Sequence, residues 1–131
     1  MSPATGKNLI LSAALAFAAL GILRYYLNSM DAAEVVRRLA GMRTAVALFR
    51  LSKGSAPVNF YDVVTSGSLE APLKLKLKWH GASSKVRPAP VLQTTDTGGW
   101  GYVNDPKSRD FGTVFIDCAH RDEKGRWWSE F

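Results

Sequence analysis

Residues 9–23, LILSAALAFAALGIL, run for fifteen positions without a charge. No other stretch limits the fold so strongly, because so apolar a helix must be covered by lipid, by protein, or by other helices. Continued past Arg24 through Tyr25, Tyr26 and Leu27, the segment 9–27 would span roughly 28 Å as a helix, close to the hydrocarbon thickness of a bilayer. Arg24 can snorkel, and the two tyrosines sit where interfacial aromatics are favoured. The segment therefore reads as one transmembrane helix behind a short flank, 1–8. A cleaved secretory signal is a second reading, with Ala19-Leu20-Gly21 as the small-x-small pattern. A buried core helix is a third. Lys7 and Arg24 lie at opposite ends, so charge does not orient the span.

Helical patterning continues over 28–52. Val35, Leu39, Met42, Val46 and Phe49 recur at spacings of four, three, four and three, which places them on one face. Val36, Ala40 and Ala47 widen that stripe. Glu34, Arg37, Arg38 and Arg50 lie mainly outside it. Asp31 can supply an N-terminal charge if the helix restarts after Asn28-Ser29. Lys53-Gly54-Ser55-Ala56-Pro57 ends it. The apolar stripe is expected to pack on a sheet.

The period then changes. In the region 53–131, residues 60–64 suggest a short helical turn or an extended piece. Leu73-Lys74-Leu75-Lys76-Leu77-Lys78-Trp79 alternates strictly, as a half-buried strand does. Residues 81–90, GASSKVRPAP, read as a loop. Strands are expected at 100–103 and 113–118, with a turn at Asp122-Glu123-Lys124-Gly125. The expected class is α+β: a long N-terminal helix, membrane-spanning in its first half and amphipathic in its second, packed on a small antiparallel β-sheet.

Chemistry-bearing patterns are sparse. Seventeen basic and eleven acidic side chains give a net charge of +6, which keeps nucleic acid and anionic surfaces in view. Lys74, Lys76 and Lys78 would form a basic strand face, either a phosphate stripe that contacts DNA or a solvated edge guarded against pairing. The single cysteine, Cys118, excludes an internal disulfide and multi-cysteine zinc modules. Cys118 and His120 project to one side of an extended chain, the placement a cysteine nucleophile and its base require. A buried thiol beside a strand-end histidine is the simpler account. Asp105, Asp110, Asp117 and Asp122 lack the compact spacing of a calcium loop. No phosphate loop, H-E-x-x-H or G-x-S-x-G is present. The expectation is a protein that is not an enzyme, with no cofactor and no metal.

The C-terminal third carries a longer pattern. It begins with Gly98-Gly99-Trp100-Gly101-Tyr102 and continues with Gly112-Thr113-Val114-Phe115-Ile116-Asp117-Cys118-Ala119-His120. Asp122-Glu123-Lys124-Gly125 and Trp128-Ser129-Glu130-Phe131 follow. This resembles the tail of bacterial type IV pilin-like proteins and type II secretion pseudopilins, over about thirty-four residues. The order of parts agrees elsewhere: an apolar N-terminal segment, an amphipathic extension, a loop, then strands.

The resemblance implies a structural subunit, minor or atypical, of a type II secretion pseudopilus or a type IV pilus. Its single-pass helix would lie in the bacterial inner membrane and its globular part in the periplasm or the filament. Leu9, Ile10, Leu11, Leu15, Phe17, Leu20 and Leu23 would line the assembly helix. Partners would be other pilin or pseudopilin subunits, assembly proteins and lipid. Processing would fall between Gly6 and Lys7. There the chain departs from the family: Thr5 replaces the basic residue before the glycine, Lys7 replaces an aromatic, and Leu11 stands where the family has glutamate. In the family that carboxylate pairs with a neighbouring subunit's amine, and minor pseudopilins at the filament tip, with nothing beyond them to pair with, can lack it. A pilin-like domain that never polymerises and instead binds an envelope partner or DNA is the alternative. A periplasmic cysteine enzyme built on Cys118 and His120 is a further rival.

Overall fold

The computed structural model describes residues 3–131 and is α+β. Helix α1 spans Pro3–Leu27 and helix α2 spans Ala32–Lys53. A short helix α3 covers Asp62–Thr65. Strands β1 (Val86–Ala89), β2 (Trp100–Val103) and β3 (Val114–Ile116) follow, and a 3₁₀ turn, Trp128–Glu130, closes the chain.

Four residues separate α1 from α2. Asp31 starts the second helix with extended backbone, and its Oδ1 accepts a hydrogen bond from the Ala33 amide at 3.4 Å, which satisfies one orphan donor of the first turn. The helical pattern of 28–52 thus belongs to a separate helix and not to an unbroken extension of α1. Gly54 ends α2 in the left-handed conformation, with its amide on the Arg50 carbonyl.

Helix α2 organises the core. Val35, Leu39, Met42 and Val46 are buried, with Phe49 partly buried against them. From the sheet come Trp100, Tyr102, Val114 and Ile116, and from the loops Phe60, Val63, Leu75 and Leu77. Each such side chain stabilises the fold by roughly 1.5–3 kcal/mol on full burial, so α2 holds the domain together. Arg43 on the same helix donates from Nε to the Val114 carbonyl at 3.0 Å and from Nη2 to Phe131 at 2.7 Å.

The sheet is mixed. β2 lies centrally, parallel to β1 (Val86 opposite Trp100) and antiparallel to β3 (Trp100 opposite Ile116). The all-antiparallel expectation is corrected by β1, which arises inside the segment read as a loop. Pro88 is tolerated there because β1 is an edge strand, where a missing N–H costs little.

The alternating segment 73–79 is also corrected. Only Leu75 pairs, with Ser83, as an isolated bridge. The backbone of Lys76 turns to the interhelical linker instead, its carbonyl accepting from the Met30 amide at 2.8 Å. Trp79 adopts φ 70° and is half exposed, so it does not share the buried side of Leu75 and Leu77.

Candidate functional site

Two features stand apart from ordinary packing. One is α1. From Lys7 to Leu27 every residue is exposed. Thr5–Leu27 is long and apolar enough to cross a membrane, and none of it is buried against the rest of the chain. The buried-core-helix reading is therefore wrong. Leu9, Ile10, Leu11, Leu15, Phe17, Leu20 and Leu23 all lie on this uncovered helix, and Gly6 and Lys7 lie within its first turns.

The end of α1 is tied to the domain. The Tyr25 hydroxyl accepts from the Ala82 amide at 2.9 Å, and the Tyr26 carbonyl accepts from the Trp79 amide at 2.7 Å. Lys76 is buried beneath this junction. Its ammonium donates to the carbonyls of Asn28 (2.7 Å), His80 (2.6 Å) and Leu77 (3.2 Å), and lies 4.7 Å from the Tyr25 ring centre. Desolvation lowers its pKa from the ordinary lysine range. The expected row of three lysines is thus broken: Lys74 and Lys78 are exposed, and Lys76 is withdrawn from any DNA-contacting face.

The second feature lies at one end of the sheet. His80, Asp96, Cys118 and His120 bring one ligand-type atom each to within 4.8 Å of one another. His80 Nε2 is 3.2 Å from His120 Nδ1, and the Cys118 sulfur is 3.5 Å and 3.4 Å from these two nitrogens. Asp96 Oδ1 is 3.1 Å from His80 Nε2 and 3.4 Å from His120 Nδ1. Cys118 is fully buried. Burial, with the Asp96 charge adding to it against a partly offsetting His120 amide, pushes its free thiol up to about 11. A free thiol so disposed is a poor nucleophile at neutral pH.

Local structure explains why these four meet. β3 ends at Ile116, and the chain then turns so that the His120 amide donates to the Cys118 sulfur at 3.4 Å. Asp117 is fully buried on the other side and holds the loop before β2. Its carboxylate accepts from Thr95 (amide 2.6 Å, hydroxyl 3.0 Å), the Asp96 amide (3.2 Å), the Thr97 hydroxyl (2.6 Å) and Arg87 Nε (2.9 Å). Burial alone would raise its pKa, but these bonds outweigh it and hold the carboxyl at about 2. The loop so gripped puts Asp96 at φ 62° and turns its carboxylate to the cluster, where Oδ1 also accepts from the Ala119 amide at 2.8 Å. Gly98, at φ 75°, lets the His80 ring approach: a Cβ there would lie 2.4 Å from its Cγ. The carboxylate beside Cys118 and His120 is thus Asp96, which the sequence pattern did not single out.

The remaining motif residues are structural. Trp100 is buried and donates from Nε1 to the Leu73 carbonyl at 2.6 Å, and the buried Tyr102 hydroxyl donates to the Pro57 carbonyl. Gly99 packs under Ser83 and the Lys85 carbonyl, and Gly112 packs against Ala56 and Arg50. Asp122 Oδ1 accepts from the amides of Lys124 and Arg126, closing the turn through Gly125. Trp128 is buried, Ser129 lies in the closing 3₁₀ turn, and Trp127 lies half exposed under the Arg121 guanidinium. Of the four spaced aspartates, Asp117 and Asp122 are occupied by these hydrogen bonds.

No family model, curated protein or solved structure matches this chain.

Proposed function

We propose that this chain is a membrane-anchored, pilin-like structural subunit, minor or atypical, of a type II secretion pseudopilus or a type IV pilus. The observation that carries the reading is α1, an apolar helix with no cover inside its own chain, hydrogen-bonded at its end to a domain built on α2. Lipid covers such a helix before assembly, and neighbouring α1 helices cover it afterwards. Ala13, Ala14, Ala16, Ala18, Ala19 and Gly21 allow close helix approach. The globular part then stands outside the inner membrane, and its work is assembly, not catalysis. The C-terminal motif supports the same reading through its resemblance to pilin tails.

Leu11 favours a second form of it, a static anchored domain, because no carboxylate at that position rewards docking in register. Oxidative cross-linking through Ala16→Cys in host membranes separates the two. A ladder of like subunits supports the filament, whereas a single foreign partner or a lone monomer refutes it. The intact mass of the membrane-extracted protein gives a parallel readout: loss of residues 1–6 supports prepilin-type processing, and a full-length mass supports the static anchor.

A further inference from the structure

We propose that His80 Nε2, Asp96 Oδ1, the Cys118 thiolate and His120 Nδ1 bind one zinc ion in a closed, tetrahedral, structural site. The chain has two histidines and one cysteine, and all three meet at this point.

The spacing fits the ion. Zinc holds nitrogen at about 2.0–2.1 Å, oxygen at about 2.0–2.2 Å and sulfur at about 2.3 Å. Tetrahedral angles then set nitrogen–nitrogen and nitrogen–oxygen edges near ~3.3 Å and nitrogen–sulfur edges near ~3.6 Å. The observed edges are 3.2 Å between the imidazoles, 3.1 and 3.4 Å to the carboxylate, and 3.4 and 3.5 Å to the sulfur. A square-planar arrangement needs two long diagonals, which five short edges out of six do not permit. Calcium is disfavoured by the donor set, since it takes six to eight oxygens.

Hydrogen bonding alone does not account for the cluster. Neutral imidazoles and a thiol bring at most three protons to these atoms. With one proton to an edge, five short edges leave two pairs facing each other with no proton between them, unless a proton is shared between two acceptors. A central cation satisfies every edge at once. The thiolate and the carboxylate neutralise its two charges, which permits it in a site that is buried at Cys118 and open to solvent at Asp96.

On binding, the Cys118 thiol gives its proton to water and the sulfur becomes a ligand. Both imidazoles enter neutral, each protonated on its other nitrogen. The His120 amide already points at the sulfur, the Ala119 amide at Asp96 Oδ1, and Asp117 fixes the Asp96 loop. These outer contacts orient the ligands as second-layer partners of metal sites do.

All four positions are filled by protein, which marks a structural and not a catalytic centre. The ion would join three separated segments. His80 also continues to the membrane junction, because its carbonyl holds the Lys76 ammonium that bonds Asn28. The zinc therefore fastens the sheet end to the linker between α1 and α2.

The test uses the full chain purified in detergent from zinc-supplied cells. After dialysis against a weak chelator, elemental analysis should find one zinc per chain, falling at least tenfold in Cys118→Ser and in His120→Ala. Cobalt(II) substitution should give intense visible bands of tetrahedral geometry with a thiolate charge-transfer band, the latter lost in Cys118→Ser. A wild-type chain that retains no metal, or whose cobalt spectrum is weak and octahedral, overturns the proposal whether or not the variants fold. Equal zinc in wild type and in both folded variants overturns it too.

Discussion

Gly98→Ala isolates the packing that places His80. Gly67 supplies the control, because it shares a left-handed φ (81° against 75°) but has open space where a Cβ would go. Backbone strain at each position costs about 1–2 kcal/mol, so both variants should lose that much stability without metal. Only at Gly98 does the new methyl collide. It would sit 2.4 Å from His80 Cγ and 2.6 Å from Nδ1, against the roughly 3.5–4.0 Å of an ordinary carbon contact. The ring must retreat by about 1 Å, whereas metal–ligand distances tolerate about 0.2 Å. Zinc affinity should fall by about 10–100-fold, the scale seen when ligand-orienting contacts are removed. At the upper end this removes about 2.7 kcal/mol of zinc-dependent stability at saturating metal. Competition with a chromophoric chelator reads the affinity. Urea unfolding by circular dichroism, with and without zinc, reads the stability. Wild-type affinity in Gly98→Ala, or an equal loss in Gly67→Ala, would refute the steric argument.

Three further outcomes are expected. Leu15→Arg places a charge midway along α1 and costs about 2.5–3.5 kcal/mol of insertion; carbonate extraction should then find more of the chain in the soluble fraction, and unchanged retention would contradict a membrane-spanning α1. Burial, modified by Arg50 and Asp62, pushes the Tyr102 phenol up to about 12 from 10.0, so the neutral form is favoured in the fold. Stability from this group is full below pH 10 and fades as pH rises towards 12, by on the order of 2–3 kcal/mol; Tyr102→Phe should remove that alkaline slope in denaturant titrations. Lys76→Met deletes three hydrogen bonds from a buried ammonium and should cost about 1.5–3 kcal/mol, with the amides of Met30 and Trp79 losing protection against hydrogen exchange.

What the sequence disclosed depended on how local each signal was. The stripe on α2 was legible because one face of one helix carries it. β2 was legible as well, since Trp100 to Val103 follow directly on a glycine pair. β1 was hidden, because Arg87 and Pro88 look like loop residues and its partner is fourteen positions away, in parallel. The 73–79 alternation misled for another reason. Alternation reports an extended backbone but not which groups satisfy it, and here the backbone bonds the linker and three carbonyls absorb a lysine. The His80, Asp96, Cys118 and His120 cluster was the least visible. Only the Cys118 and His120 pair is local; His80 and Asp96 come from loops whose placement depends on Asp117 and Gly98. The scarcity of histidine and cysteine was the one available hint, since a chain with three such residues has few ways to use them together.

The linker between the helices has a mechanical consequence. Any pull along α1 enters the domain at residues 25–31, first through Tyr25 on the Ala82 amide and Tyr26 on the Trp79 amide. It meets the Met30 amide on the Lys76 carbonyl and the Lys76 ammonium on Asn28 and His80. These bonds cross between chain segments far apart in sequence, so the load is shared with residues 76–80 and does not fall on the start of α2 alone. The joint between tether and domain is thus braced from both sides of the linker, with the buried Lys76 bonded to the linker by both its carbonyl and its ammonium.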